Sequence, residues 1–104
     1  MVKKCLSEDI IVLISKKWNL RILKSLELNG KMRFNELLND LKFISPRTLS
    51  KRLKELEAMK LIDKKKFNQI PPKVEYSFTT KGKGLIKCFK ELDQWTKKWQ
   101  GNKQ

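Results

Sequence analysis

The chain contains no histidine, so imidazole is available neither as a general base nor as a metal ligand. It has two cysteines, Cys5 and Cys88, 83 positions apart. That is too few for the disulfide framework of a small secreted domain, and it lacks the paired spacing of a zinc or iron–sulfur site. The glycines form no phosphate-cradling loop and no nucleophile elbow. The longest uninterrupted apolar run, Ile10 to Ile14, is far too short to span a membrane, and no membrane partner is expected. No charged-then-apolar signal segment opens the chain, which predicts a cytoplasmic protein. Acidic side chains are scarce: 11 Asp or Glu stand against 25 Lys or Arg, a net charge of +14. These absences point away from an enzyme and imply no metal or cofactor. The surplus of positive charge points to a polyanion, nucleic acid first among them.

What is present suits one domain spanning residues 1–104. Hydrophobic residues make up 39% of the chain, enough for a single core. The positive charge is unevenly spread. Residues 1–41 carry eight basic and five acidic side chains, residues 42–73 carry ten and three, and residues 74–104 carry seven and three. The middle third is therefore the place to look for a binding surface.

Leu6, Ile10, Leu13 and Ile14 recur at helical spacing and predict a first helix over about 7–16, with Ser7 as its N-cap. Ile11 and Val12 widen its apolar surface. Trp18, Ile22, Leu23 and Leu26 predict a second helix, closed by Asn29-Gly30. Phe34, Leu37, Leu38 and Leu41 form a third short stripe. Ser45-Pro46, an N-cap followed by proline at the first helical position, then opens a fourth helix over about 46–59. Its leucines Leu49, Leu53 and Leu56 share one side, while Arg47, Lys51 and Lys54 take the other, flanked by Thr48 and Ser50. Leu61 to Phe67 and Val74 to Phe78 read as two strands, the second with a clear period of two. The paired prolines Pro71 and Pro72 favour an extended, stiff loop between them. Lys64, Lys65, Lys66 and Lys73 decorate this hairpin. A last helix over about 80–99 presents Leu85, Cys88, Phe89, Leu92, Trp95 and Trp99 on one side.

The order of these elements is that of a winged helix-turn-helix. The expected fold is mainly α with a small β-hairpin (α+β): five to six helices plus a two- or three-stranded wing sheet. A basic helix of this kind can enter the major groove of duplex DNA while the Lys-rich wing, about 62–78, lies on the backbone or in the minor groove. Arg47 is the candidate for a bidentate guanine contact. Thr48 and Ser50 can bond bases or phosphates, and Lys51 and Lys54 can hold phosphates. Lys64, Lys65, Lys66 and Lys73 would add affinity with little sequence preference.

The residues also resemble a family. Cys5 stands 13 positions before Trp18; Lys17-Trp18 is followed by Ile22-Leu23 and by Arg33-Phe34-Asn35-Glu36-Leu37. Ile44-Ser45-Pro46-Arg47-Thr48-Leu49-Ser50-Lys51-Arg52-Leu53-Lys54-Glu55-Leu56 comes next, then Pro71-Pro72-Lys73-Val74-Glu75-Tyr76-Ser77-Phe78-Thr79. In this order and spacing the chain is similar to the HxlR type of winged-helix transcriptional regulators, relatives of the MarR regulators. The resemblance implies a homodimer on operator DNA and, for some members, sensing of oxidants or electrophiles through a cysteine near the N-terminus, the position of Cys5. Where the family carries glycine after the recognition helix, this chain has Lys60, which is strained if the backbone there is left-handed.

Two helices are expected to form the dimer interface, the first (about 7–16) and the last (about 80–99), through Ile11, Leu85, Phe89, Leu92, Trp95 and Trp99. Such a dimer would read a pseudo-palindromic operator with its two recognition helices about one DNA turn apart. Cys88, on the apolar stripe of the last helix, is expected to be a buried packing residue. The groove between the dimer helices would have room for a small-molecule effector, but no ligand-specific polar cluster is legible in the sequence. Two other classes compete with a sequence-specific regulator: a sequence-neutral architectural DNA-binding protein, and an RNA-associated basic protein. Against the RNA reading, the aromatic residues fall on core stripes and not on an open sheet where bases could stack.

Overall fold

The computed structural model describes residues 7–100. In chain order these form α1 (Glu8–Ser15), α2 (Asn19–Asn29), β1 (Met32–Arg33), α3 (Phe34–Leu41), α4 (Pro46–Ala58), β2 (Ile62–Phe67), β3 (Lys73–Phe78) and α5 (Thr80–Gln100). This is the expected α+β winged helix-turn-helix, with five helices and three strands among the described residues. The strands form one antiparallel sheet in the order β1-β3-β2, so the hairpin's second strand is central and β1 is an edge. The two-residue strand β1 escaped the sequence pattern because two positions carry no measurable period. It forms because Met32 and Arg33 pair with Tyr76 and Glu75 far along the chain.

The helical stripes converge on one core. Ile22, Leu23, Leu37, Leu49 and Leu56 are wholly buried, and Tyr76, Ile86 and Phe89 close the core from the sheet and α5. Ser25 of α2 donates to Asp40 of α3, tying the two helices on a polar edge. Burial, then the negative charge of Glu57, pushes the Tyr76 hydroxyl above its ordinary pKa, so it stays neutral.

Three local expectations are corrected. Ser7 precedes α1 but its side chain caps nothing: its φ of −94° and ψ of 8° are not the extended cap conformation, and only its carbonyl takes part, accepting from the Ile11 N–H. Trp18 precedes α2 in a left-handed conformation, φ 84°, where it does not extend the helical stripe. Cys88 is exposed and not buried. The reason is that α5 is apolar on two adjacent sides: Ile86 and Phe89 turn to the core, while Cys88 shares the other side with Leu92, Trp95 and Trp99.

The turn after α4 is built with care. The Leu61 N–H donates to the Leu56 carbonyl and the Lys60 N–H to the Glu57 carbonyl, the paired bonds of a Schellman cap. Lys60 occupies its left-handed position at φ 63°, the strained case foreseen from the sequence. Thr79 then locks this turn to the start of α5. Its hydroxyl donates to the Lys60 carbonyl at 2.6 Å and accepts from the Gly82 N–H at 3.0 Å. Gly82 is glycine because a Cβ there would overlap the Leu61 carbonyl oxygen.

Candidate nucleic-acid interface

The basic helix α4 begins with the cap read from the sequence. The Thr48 N–H donates to Ser45 Oγ at 3.0 Å, and Ser45 Oγ donates to Thr48 Oγ1 at 2.9 Å. Pro46 occupies the first helical position. Leu49, Leu53 and Leu56 seat the helix against the core, which forces Arg47, Lys51 and Lys54 outward into solvent. Thr48 and Ser50 are half-buried at the flanks. None of the three outward cations is paired with an acid among the described residues.

Of the two acids of α4, Glu55 is tied to partners at the end of α1, in α2 and in α4 itself, and Glu57 is half-buried. Glu55 accepts from Arg52 Nη1 at 2.7 Å, from Lys16 Nζ at 3.3 Å and from Asn19 Nδ2 at 3.5 Å. Burial opposes the charge on Glu55, but the hydrogen bonds from Arg52, Lys16 and Asn19, with the charge of Arg52, outweigh it and hold the carboxyl below its ordinary pKa. Asn19, itself buried, also donates to the Leu13 carbonyl at 2.8 Å and so joins α1, α2 and α4. Arg52 is therefore an internal partner, while its neighbour Lys51 is free to act outward.

The wing separates cations that look contiguous in the sequence. Lys64 and Lys66 lie opposite Tyr76 and Val74, on one face of the hairpin, and Lys65 lies opposite Glu75 on the other. All three are exposed. Lys73 is more engaged: it pairs with Glu75 at 3.1 Å and its ammonium stands 4.7 Å from the centre of the Phe67 ring, with Lys65 at 5.1 Å from the same ring. The sequence reading missed Arg33 as part of this surface. Held on β1 opposite Glu75, it lines an open groove of about 390 Å³ with Lys73 and the first turn of α3. Only the pairing of β1 with the hairpin brings it there, so no local signal could have marked it.

Of the residues expected in a dimer interface, Ile11, Leu92, Trp95 and Trp99 are exposed and Leu85 is half-buried. Phe89 belongs mainly to the core of the chain itself, and it also lines a small apolar groove with Ile14, Leu20 and Leu92. Cys5 lies outside the described residues. Among the described residues no helix is long and apolar enough to cross a membrane, and no cluster of His, Cys, Asp or Glu could hold a metal ion.

Comparison with known proteins agrees with this geometry. Residues 13–104 match the model of the HxlR-like helix-turn-helix family. An uncharacterised HTH-type transcriptional regulator of Halalkalibacterium halodurans, BH0655, is 43% identical over 90 residues, 86% of this chain and 80% of its own length. The reduced form of the Bacillus subtilis transcriptional regulator YodB superposes with a TM-score of 0.81 at 32% identity, covering 97% of both chains. The redox regulator HypR in its reduced form superposes with a TM-score of 0.79 at 32% identity, covering 90% of this chain and 92% of its own. With a capped basic helix, a cationic wing and these relatives, the chain belongs to the HxlR-like helix-turn-helix family of DNA-binding transcriptional regulators.

Proposed function

We propose that the protein is a homodimeric, sequence-specific regulator of double-stranded DNA, with α4 in the major groove and the wing on the backbone or in the minor groove. One observation carries this reading: Arg47, Lys51 and Lys54 of α4 stand outward without an acidic partner among the described residues, while Glu55 is tied to Arg52, Lys16 and Asn19. Arg47 stands in the first turn, where its planar fork can read guanine, and Lys51 and Lys54 can anchor phosphates. Lys64, Lys65 and Lys66 add counterion-release affinity from the wing, and Lys73, shared with Glu75, adds less. Dimerisation through α1 and the outer side of α5 covers Ile11, Leu92, Trp95 and Trp99, with Leu85 at the rim, and sets two recognition helices against a pseudo-palindromic operator.

Cys5 is the thiol through which oxidation would change DNA affinity. A structural neighbour named as a redox regulator, HypR, solved in oxidised and reduced forms, supports this role, and the neighbouring Lys3 and Lys4 favour the reactive thiolate. The protein's place of action is the cytoplasm, with the DNA it regulates.

The test is a selection from random duplex DNA at about 150 mM salt, where non-specific binding is weakened. Enrichment of a palindrome with half-sites about ten base pairs apart is the expected result. Tight, salt-sensitive binding with no enriched motif would instead identify a sequence-neutral architectural protein. With the motif in hand, oxidised protein and a Cys5→Ser variant are compared for operator affinity. Equal responses to oxidant would remove Cys5 from the mechanism.

A further inference from the structure

The turn between α3 and α4 carries an aromatic ring in an unusual setting. Phe43 is 98% exposed, more than any other aromatic residue among those described. It sits between Leu41 and Ile44, both buried, which anchor the two ends of the turn in the core. Arg21 closes the turn from α2, its Nη2 donating to the Leu41 carbonyl at 3.3 Å, and the Lys42 N–H donates to the Leu38 carbonyl at 3.2 Å. Between these anchors the backbone takes two successive positive φ angles on residues that are not glycine, 52° at Lys42 and 58° at Phe43. At Lys42 the ψ of 150° makes a combination that glycine adopts with ease and side chains resist. Glycine would relieve both positions, and neither is glycine.

The placement of this ring says what it can meet. Phe43 stands two residues before the Ser45 cap, beside the turn of helix that carries Arg47. From Lys42 to Lys54 the chain has five basic residues and no acid. A protein surface of ordinary charge gains little there, whereas a polyanion is drawn in. Duplex DNA also presents apolar groups beside its phosphates, namely the thymine C5-methyl in the major groove and the faces of the deoxyribose rings.

We propose that Phe43 is a DNA-contacting residue, its ring held out by the strained turn to pack on an apolar group of the duplex next to the base read by Arg47. The proposal rests on the DNA-binding reading above and adds to it an apolar contact that no salt concentration screens. The ring is large and poorly hydrated, so covering it on binding favours the complex.

The test compares wild type, Phe43→Ala and Phe43→Gly on the duplex enriched by the selection, with Leu28→Ala as a control. Leu28 is 81% exposed, lies near the end of α2, and belongs neither to α4 nor to the wing. Affinity is expected to fall about tenfold in both Phe43 variants, and the slope of affinity against salt stays unchanged because no phosphate contact is lost. The control binds as wild type does. Phe43→Gly should also melt at a higher temperature than wild type, since glycine relaxes the positive φ, so its weaker binding cannot come from poorer folding. Replacing thymidines one at a time by deoxyuridine removes only the methyl group. Sensitivity at one position that disappears in Phe43→Ala assigns the methyl, and a flat scan with the same tenfold loss assigns the sugar. Unchanged affinity in both Phe43 variants overturns the proposal, as does a loss confined to Phe43→Gly, which would implicate turn stiffness and not the ring. Wild-type protein that binds no duplex overturns the DNA-binding reading itself.

Discussion

Arg47 and Lys65 are both exposed cations on the proposed DNA surface, yet their surroundings assign them different work. Arg47 lies in the capped first turn of α4, a rigid position from which a forked donor can address one base. Arg47→Ala should therefore lose about 1–3 kcal/mol of binding and relax preference at one position. Lys65 is a point charge on a strand, leaning over Phe67. Lys65→Ala should weaken every sequence alike and flatten the salt slope by about one. Filter-binding titrations on matched and mismatched duplexes distinguish the two, and uniform losses in both would remove Arg47 from base readout. Lys60 presents the opposite case, a residue that costs stability where it stands. Its φ of 63° completes the Schellman turn, so Lys60→Gly should raise stability by about 1 kcal/mol in denaturant unfolding. A loss instead would mean that the lysine side chain contributes more than its backbone costs.

At the scale of elements, the position of α4 depends on polar joints as well as on its leucine seam. Glu55 gathers Arg52, Lys16 and Asn19, binding the recognition helix to the α1–α2 junction. Its carboxyl is held below the ordinary value of 4.5. A carboxylate so depressed stabilises the fold above its unfolded pKa, and that stability is lost as pH falls through the lower folded value. Glu55→Gln should therefore cost on the order of 1 kcal/mol at neutral pH. The deficit should close as the solution is acidified below about pH 4, which urea unfolding at several pH values would reveal. A deficit that persisted undiminished in acid would mean the charge of Glu55 is not what holds the joint. The start of α5 offers a paired test of geometry against propensity. Gly82→Ala must push the Leu61 carbonyl and break into the Thr79 lock, so it should destabilise the fold, whereas Gly84 faces open space. Gly84→Ala should stabilise it by about 0.5–1 kcal/mol through helix propensity alone. Thermal melts that moved both variants the same way would contradict this placement.

For the whole molecule, the decisive test is of the proposed dimer. Beyond Phe89 the helix α5 buries no further side chain, and Leu92, Trp95 and Trp99 stand 56–67% exposed. Trp95→Glu with Trp99→Glu should leave the protomer's fold intact, shift sedimentation from dimer to monomer and weaken operator binding by removing the second half-site contact. A wild-type protein that sediments as a monomer at micromolar concentration would exclude this arrangement. The helices, the cap at Ser45, the leucine seam and the hairpin were legible in the sequence because each rests on local chemistry: a period of 3.6 or of two, a capping hydroxyl, a proline, a Gly-containing stop. The outward cations of α4 followed directly from that seam. Which of two adjacent apolar sides of α5 enters the core, and so the exposure of Cys88, was decided only by packing against the sheet and α2. The inward turn of Glu55, the edge strand that delivers Arg33, the splitting of Lys65 from Lys64 and Lys66, and the projection of Phe43 were likewise decided by tertiary contacts. Each depends on partners distant in the chain or on backbone angles imposed by anchors on both sides, and a local pattern contains neither.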